Sequence, residues 1–200
     1  MIHPKTCLKY INNEVGYGVF ATEFIPRGTI TYVKDALEIE ISPKDYQQHT
    51  TEMQAVIEKY SYIDEKGYRI LSWDFSKYIN HCCNCNSMST GYGFEIAIRD
   101  IFPGEEITDE YGIFNLVESI PLQCNQQNCR KYVHPNDFDA LYAQWDKWLV
   151  NALACFQQVE QPLLPLMDAP TQSELSNYLN QQAAYKSVYA LRFKKQEVSN

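Results

Sequence analysis

From Tyr10 to Val33 short β-prone runs are broken by Gly16, Gly18, Pro26 and Gly28, a pattern that predicts turn-linked strands. The stretch from Ser42 to Tyr60 opens on Ser-Pro and places helix formers around Met53, Val56 and Ile57, which predicts a short helix. Residues 66–72, KGYRILS, read as strand, and Phe94, Ile96 and Ile98 alternate before a turn at Pro103-Gly104 and a further strand from Ile107. After Pro135 the period changes. Phe138, Leu141, Tyr142, Trp145, Trp148, Leu149, Leu153 and Phe156 recur at three- and four-residue steps, an amphipathic helix with Asn136 available as its N-cap. Pro162, Pro165 and Pro170 interrupt it, since each lacks an amide donor and restricts its predecessor. A second helix is expected from the capping box Thr171 to Glu174, through Leu175, Tyr178, Leu179 and Val188, to Lys194 and Lys195. The chain therefore reads as mainly β, residues 1–134, followed by an α-helical hairpin, residues 135–200.

Composition narrows the partners. With 17 basic and 25 acidic residues the chain carries a formal charge of −8, which disfavours direct nucleic-acid binding and favours a cationic partner. Residues 1–134 hold 12 of the basic and 18 of the acidic side chains, so an acidic groove is expected there. MIHPKTCLKY has no apolar run suited to a signal peptide, and no stretch approaches the roughly 20 residues of a membrane span. The expectation is an intracellular protein, cytoplasmic or nuclear, without a membrane partner. Seven cysteines, grouped at 82, 83 and 85 and at 124 and 129, suit a metal or reduced thiols better than a disulfide framework.

Four segments in order, GYGVFATEFIPRGTI, YINHCCNCN, AIRDIFPGEEITDEYG and LQCNQQNCR, resemble the SET-domain protein lysine methyltransferases over about residues 10–134. The resemblance implies the SET fold, small sheets with knot-like threading, and transfer of methyl groups from S-adenosylmethionine to lysine on a protein with a basic segment, such as a histone. It implies that Tyr17 and Gly18 hold the methionine end of the cofactor, that Asn80 and His81 contact its adenine and ribose side, and that Tyr111 is the catalytic tyrosine where the lysine channel meets the cofactor. Each residue type suits its task. A glycine lets backbone approach a ligand closely, an amide and an imidazole offer donors and acceptors, and in-line methyl transfer needs alignment, desolvation and oxygens near the methyl.

Two departures from the family pattern are informative. Asp109 stands in the substrate channel where the family has an aromatic that tunes how many methyls are added, and a carboxylate there favours the lysine's ammonium form. It points to an altered product preference, or to a non-catalytic SET-derived module that binds cofactor or protein. The resemblance also implies a structural zinc on Cys83, Cys124 and Cys129, but Leu122 replaces the fourth cysteine. Tetrahedral zinc wants four ligands, and Cys85, Cys82 and His134 are the substitutes, Cys85 being sterically the easier. The aromatic C-terminal helices offer a third possibility, a surface for homo-oligomerisation.

Overall fold

The computed structural model describes residues 1–124 and 126–194. Its first part is built from short strands. β1 (Thr6–Asn12) and β2 (Gly16–Ala21) form an antiparallel hairpin running from Thr6 opposite Ala21 to Asn12 opposite Gly16. The Asn12 side-chain carbonyl accepts the amides of Glu14 and Val15, and Gly16 closes the turn at φ +82°, a conformation that disfavours a side chain. β10 (Glu106–Asp109) pairs antiparallel with β2, and β7 (Asn80–His81) pairs parallel with β10, giving a four-stranded sheet ordered β1-β2-β10-β7.

Three smaller sheets surround it. β3 (Ile30–Val33), β9 (Phe94–Ala97) and β8 (Ser87–Ser89) form one antiparallel sheet with β9 central, and all three strands are buried along their full length. β4 (Ile39–Ile41), β6 (Arg69–Leu71) and β5 (Ser61–Ile63) form a second, and β11 (Ile120–Pro121) with β12 (Tyr132–Val133) a two-stranded ribbon.

The helix expected between Ser42 and Tyr60 is two helices, α1 (Pro43–Gln48) and α2 (Thr51–Tyr60). The split has a local cause: Ser42 Oγ accepts the Asp45 amide, and Thr50 Oγ1 starts a fresh helix by accepting the amide of Met53. Of the three apolar positions noted there, only Ile57 is buried.

α3 (Asp137–Leu153) follows the expected period, with Phe138, Trp145, Leu149 and Leu153 buried, while Trp148 is exposed. Asn136 precedes it without a capping side-chain bond; instead Asp137 Oδ2 accepts the His134 amide. α4 (Ala169–Leu179) begins earlier than the Thr171 capping box, because Asp168 accepts the Thr171 amide and Pro170 sits in the first turn, where a missing donor costs nothing. It also ends earlier. Gln181 takes φ +58°, and Val188 belongs to a separate 3-10 turn, Val188–Leu191, capped by Ser187. Asp146 of α3 holds that turn by accepting the Val188 amide and the hydroxyls of Tyr185 and Ser187. Of the two lysines expected to end the helix, Lys195 lies outside the described residues. No helix among the described residues is long and apolar enough to cross a membrane.

Packing crosses from the sheets to the C-terminal helices. Trp145, Leu149, Phe156, Leu175 and Val188 share one core with Met88, Phe94 and Ile96, whereas Val19, Ile79, Ile101 and Ile107 centre a second core under β2 and β10. Trp145 is the largest fully buried side chain. Trp145→Ala is expected to cost about 3–5 kcal/mol of stability, read as a lowered midpoint in urea unfolding.

Candidate functional site

The carboxyl end of β10 and the two residues of β7 place most of the site. Thr108 lies opposite Asn80 and Asp109 opposite His81, and Asn86 braces this short parallel pairing by bonding Thr108 N through Oδ1 and Glu106 O through Nδ2. Asn80 Nδ2 donates to Tyr17 O at 3.0 Å and to Glu106 Oε1 at 2.8 Å. Gly18 sits in the same contact. A Cβ there would come within 2.5 Å of Glu106 Oε1 and 3.1 Å of Asn80 Nδ2, so close backbone approach requires glycine. Tyr17 is half exposed and packs edge-to-face on Tyr10 and Tyr78. Tyr17, Gly18 and Asn80 are thus brought together.

His81 turns inward instead. Its Nδ1 accepts the Tyr111 amide at 3.2 Å, which leaves the ring proton on Nε2, 3.6 Å from Cys83 Sγ. Burial, reinforced by the Arg130 charge, lowers the imidazole pKa to about 4, so it is neutral at pH 7. Tyr111 starts a 3-10 turn, Tyr111–Ile113, and its hydroxyl donates to Ile79 O at 2.7 Å. Burial raises its phenol pKa.

The cysteines divide. Cys83, Cys124 and Cys129 bring their sulfurs within 4.8 Å of one another, a group that could hold a metal ion. Cys82 Sγ lies 3.7 Å from Cys124 Sγ, close to the sulfur separation that 2.3 Å bonds to a tetrahedral ion require. Amides point at these sulfurs, Asn84 N at Cys82, Arg130 N at Cys83 and Lys131 N at Cys129, and such donors stabilise thiolates. Cys85, sterically the easier substitute on sequence, does not join them. One residue past Asn84 the chain heads into β8, and the Cys85 side chain is buried in the core, where desolvation pushes its thiol pKa up. His134 is also elsewhere, bonded through Nδ1 to Ser119 Oγ at 2.7 Å.

Arg130 links the cysteine group to the tyrosine turn. Its guanidinium makes two bonds to the buried Glu110 carboxylate, at 2.7 and 2.8 Å, and one to Asp137 Oδ2 at 2.9 Å. Glu110 Oε1 in turn accepts the Gly112 amide. Burial pushes the Glu110 pKa up and Arg130 opposes that, so removing the cation would leave a desolvated charge.

A cavity of about 440 Å³ opens beside Tyr111, lined by Tyr32, Tyr62 and Phe114, by the carboxyl groups of Glu58, Glu95, Asp109 and Glu118, and by the basic side chains of Lys59, Arg69 and Lys77. Asp109 does not point to solvent; it is 1% exposed. Its Oδ1 accepts the Glu110 amide, and no N–H or neutral O–H donor reaches Oδ2 among the described residues. The Glu95 carboxyl is its neighbour, and a proton held between the two acids would satisfy both. Desolvation pushes Glu95 up to about 7 and Asp109 well above the usual carboxylate range. Glu95 and Arg130 were not among the residues singled out from sequence. A charged residue within the apolar run of β9, a strand buried on both faces, is the signal that marks Glu95.

Residues 16–112 match the family model described as the SET domain. The chain is 33% identical over 139 residues to the Variant-silencing SET domain-containing protein of Plasmodium falciparum, covering 60% of this chain and 5% of that protein. It is 27% identical over 130 residues to the Histone-lysine N-methyltransferase trr of Drosophila melanogaster, with the same coverage, 60% and 5%. To the Histone-lysine N-methyltransferase trithorax of the same organism it is 38% identical over 66 residues, 30% of this chain and 2% of that protein. The chain therefore spans only a small part of these relatives. Among solved structures it is similar to a crystal structure of KRYPTONITE in complex with mCHG DNA and SAH, with 21% identity and a TM-score of 0.44 over 62% of this chain and 28% of that one.

Arg130→Ala is expected to destabilise the fold by about 3–5 kcal/mol, because it strands the Glu110 charge. Adding Glu110→Gln should recover most of that loss in urea unfolding, which separates a stranded charge from lost packing.

Proposed function

Residues 16–112 form a SET domain, and from that premise we propose that the protein transfers methyl groups from S-adenosylmethionine to a lysine side chain of a protein substrate. The observation that carries this reading is the placement of Tyr111: its hydroxyl is fixed on Ile79 O at the wall of an aromatic-lined cavity, while its amide is held by His81, next in the chain to Asn80. The cavity suits an extended aliphatic side chain ending in a cation, since aromatic faces and a carboxylate both favour one. When bound, S-adenosylmethionine supplies the electrophilic methyl. Tyr17, Gly18, Asn80 and His81 are the residues that would hold it, and Tyr111 would orient the amine and exclude water.

The substrate is proposed to be a lysine in a basic segment such as a histone tail. The net charge of −8 favours a cationic partner, and two relatives are named histone-lysine N-methyltransferases. A nuclear or cytoplasmic location goes with that substrate. Cys83, Cys124 and Cys129 would hold a structural zinc, and Cys82, whose sulfur approaches Cys124 but lies outside the mutually close group of three, would have to shift to become a fourth ligand; the amides aimed at the sulfurs suit thiolates.

The purified protein is expected to transfer label from S-adenosylmethionine to core histones or to protein in a cell extract, and folded Tyr111→Phe to fall by about 100-fold. A protein that binds S-adenosylmethionine in calorimetry yet labels nothing would instead be a binding module. Elemental analysis is expected to find one zinc per chain and a deficit in Cys83→Ser; a metal-free protein of full stability would refute the zinc assignment.

A further inference from the structure

We propose that Glu95 is the catalytic base of this site, the group that takes the proton from the substrate's ammonium so that the amine can attack. The proposal rests on the methyltransferase reading and adds a residue and a step to it. A lysine side chain reaches the cavity as an ammonium, since its ordinary pKa is near 10.4, and an ammonium has no lone pair with which to attack. Something must accept a proton.

The other groups at the site are unsuited, and of the further carboxylates lining the cavity Glu58 is exposed and paired with Arg69 and Glu118 is exposed. The Tyr111 hydroxyl is protonated and donates to Ile79 O, and the basic nitrogen of His81, Nδ1, is occupied by the Tyr111 amide. Glu110 is bound by Arg130 through both oxygens. Glu95 differs. It lines the same cavity as Tyr111, and no lysine, arginine or histidine pairs with it or with Asp109 among the described residues. Its charged and polar neighbours are Tyr32 and Glu38 from β3 and the segment after it, Tyr62 from β5, Ser87 from β8, Asp109 and Glu110 from the end of β10, Tyr111 beyond it, and the Met1 ammonium, while Glu58 and Lys59 of α2, Arg69 of β6, Lys77 and Glu118 line the same cavity without pairing with it. Burial keeps the three phenols neutral. A carboxylate in such surroundings is poorly solvated, and one oxygen of its neighbour, Asp109 Oδ2, has no N–H or hydroxyl donor among the described residues. A cation entering the cavity supplies the missing counter-charge.

Where the bound lysine stem displaces water from the cavity, the ion pair of ammonium and carboxylate loses its advantage over the neutral pair of amine and acid, because desolvation lowers the amine's proton affinity and raises the acid's. The ammonium N–H bond breaks and an O–H bond forms on Glu95. The freed lone pair then bonds to the methyl carbon while the electrons of the carbon–sulfur bond return to sulfur, and the product is a methylammonium and a neutral thioether. The proton on Glu95 leaves to solvent with product exchange.

The test is the pH profile of kcat/KM for label transfer to core histones by wild type and Glu95→Gln. At pH 7 the variant is expected to be slower by about 100-fold, in the range of a lost general base. At about pH 10, where the substrate amine deprotonates unaided, the deficit should shrink to about threefold or less. A deficit of the same size at both pH values, or no deficit, would overturn the proposal, since a purely structural role has no reason to be relieved by alkali. If Glu95→Gln does not fold, wild type is titrated with n-butylamine at pH 7, and the Glu95 side-chain carboxyl carbon resonance is expected to move toward its protonated position. An unmoved resonance overturns the proposal. A wild type that labels nothing at any pH would overturn the methyltransferase reading, and the step proposed within it.

Discussion

The parallel pairing of Asn80–His81 with Thr108–Asp109 is the contact on which the rest of the site depends. Two residues of ladder are weak by themselves, and this one is reinforced by Asn86, whose side chain supplies both a donor and an acceptor to β10 where backbone alone would leave gaps. From that seam four consequences radiate by adjacency. Asn80 reaches the β2 backbone at Tyr17, His81 reaches the Tyr111 amide, Cys83 reaches the distant cysteines, and Asp109 reaches Glu95. A slip of one residue would exchange inward for outward side chains at every one of these points.

Electrostatics then joins pieces that the sheets alone would leave separate. Arg130 belongs to the cysteine loop, Glu110 to the tyrosine turn and Asp137 to the start of α3, and one guanidinium satisfies both carboxylates. Arginine suits this position because its planar fork serves two acceptors in fixed directions, which an ammonium does not. The Glu95 and Asp109 pair is the contrasting case, two neighbouring buried acids with no lysine, arginine or histidine paired to either among the described residues. The first arrangement settles the fold's charges, and the second leaves two carboxyl groups on the cavity wall.

Much of the fold was legible because its signals are local. The β2 hairpin, the β9 alternation and the α3 period each sit in a few neighbouring residues and appear where the pattern placed them. The start of α4 was misread because Asp168 and Thr171 both resemble caps, and only geometry decides which one accepts the amide. The family motifs pointed to Tyr17, Gly18, Asn80, His81 and Tyr111, residues that lie near one another along the seam. Spacing could not separate Cys82 from Cys85, since which thiol faces the cluster depends on how the chain turns after Asn84. Glu95 escaped because its meaning depends on Asp109, a residue far along the chain, and on a strand buried on both faces.

The contact between Trp145 and Gly112 makes the C-terminal helices more than an appendage. A Cβ at Gly112 would meet the indole ring at 2.9 Å, so the aromatic edge of α3 rests directly on the backbone of the turn that carries Tyr111. The chain's change of secondary structure near residue 135 is therefore a poor place to cut, because the packing seam does not coincide with it. Thermodynamically, any ligand that steadies the Tyr111 turn also steadies α3, and the amide protons of a helix that touches no ligand would exchange more slowly when the site is filled.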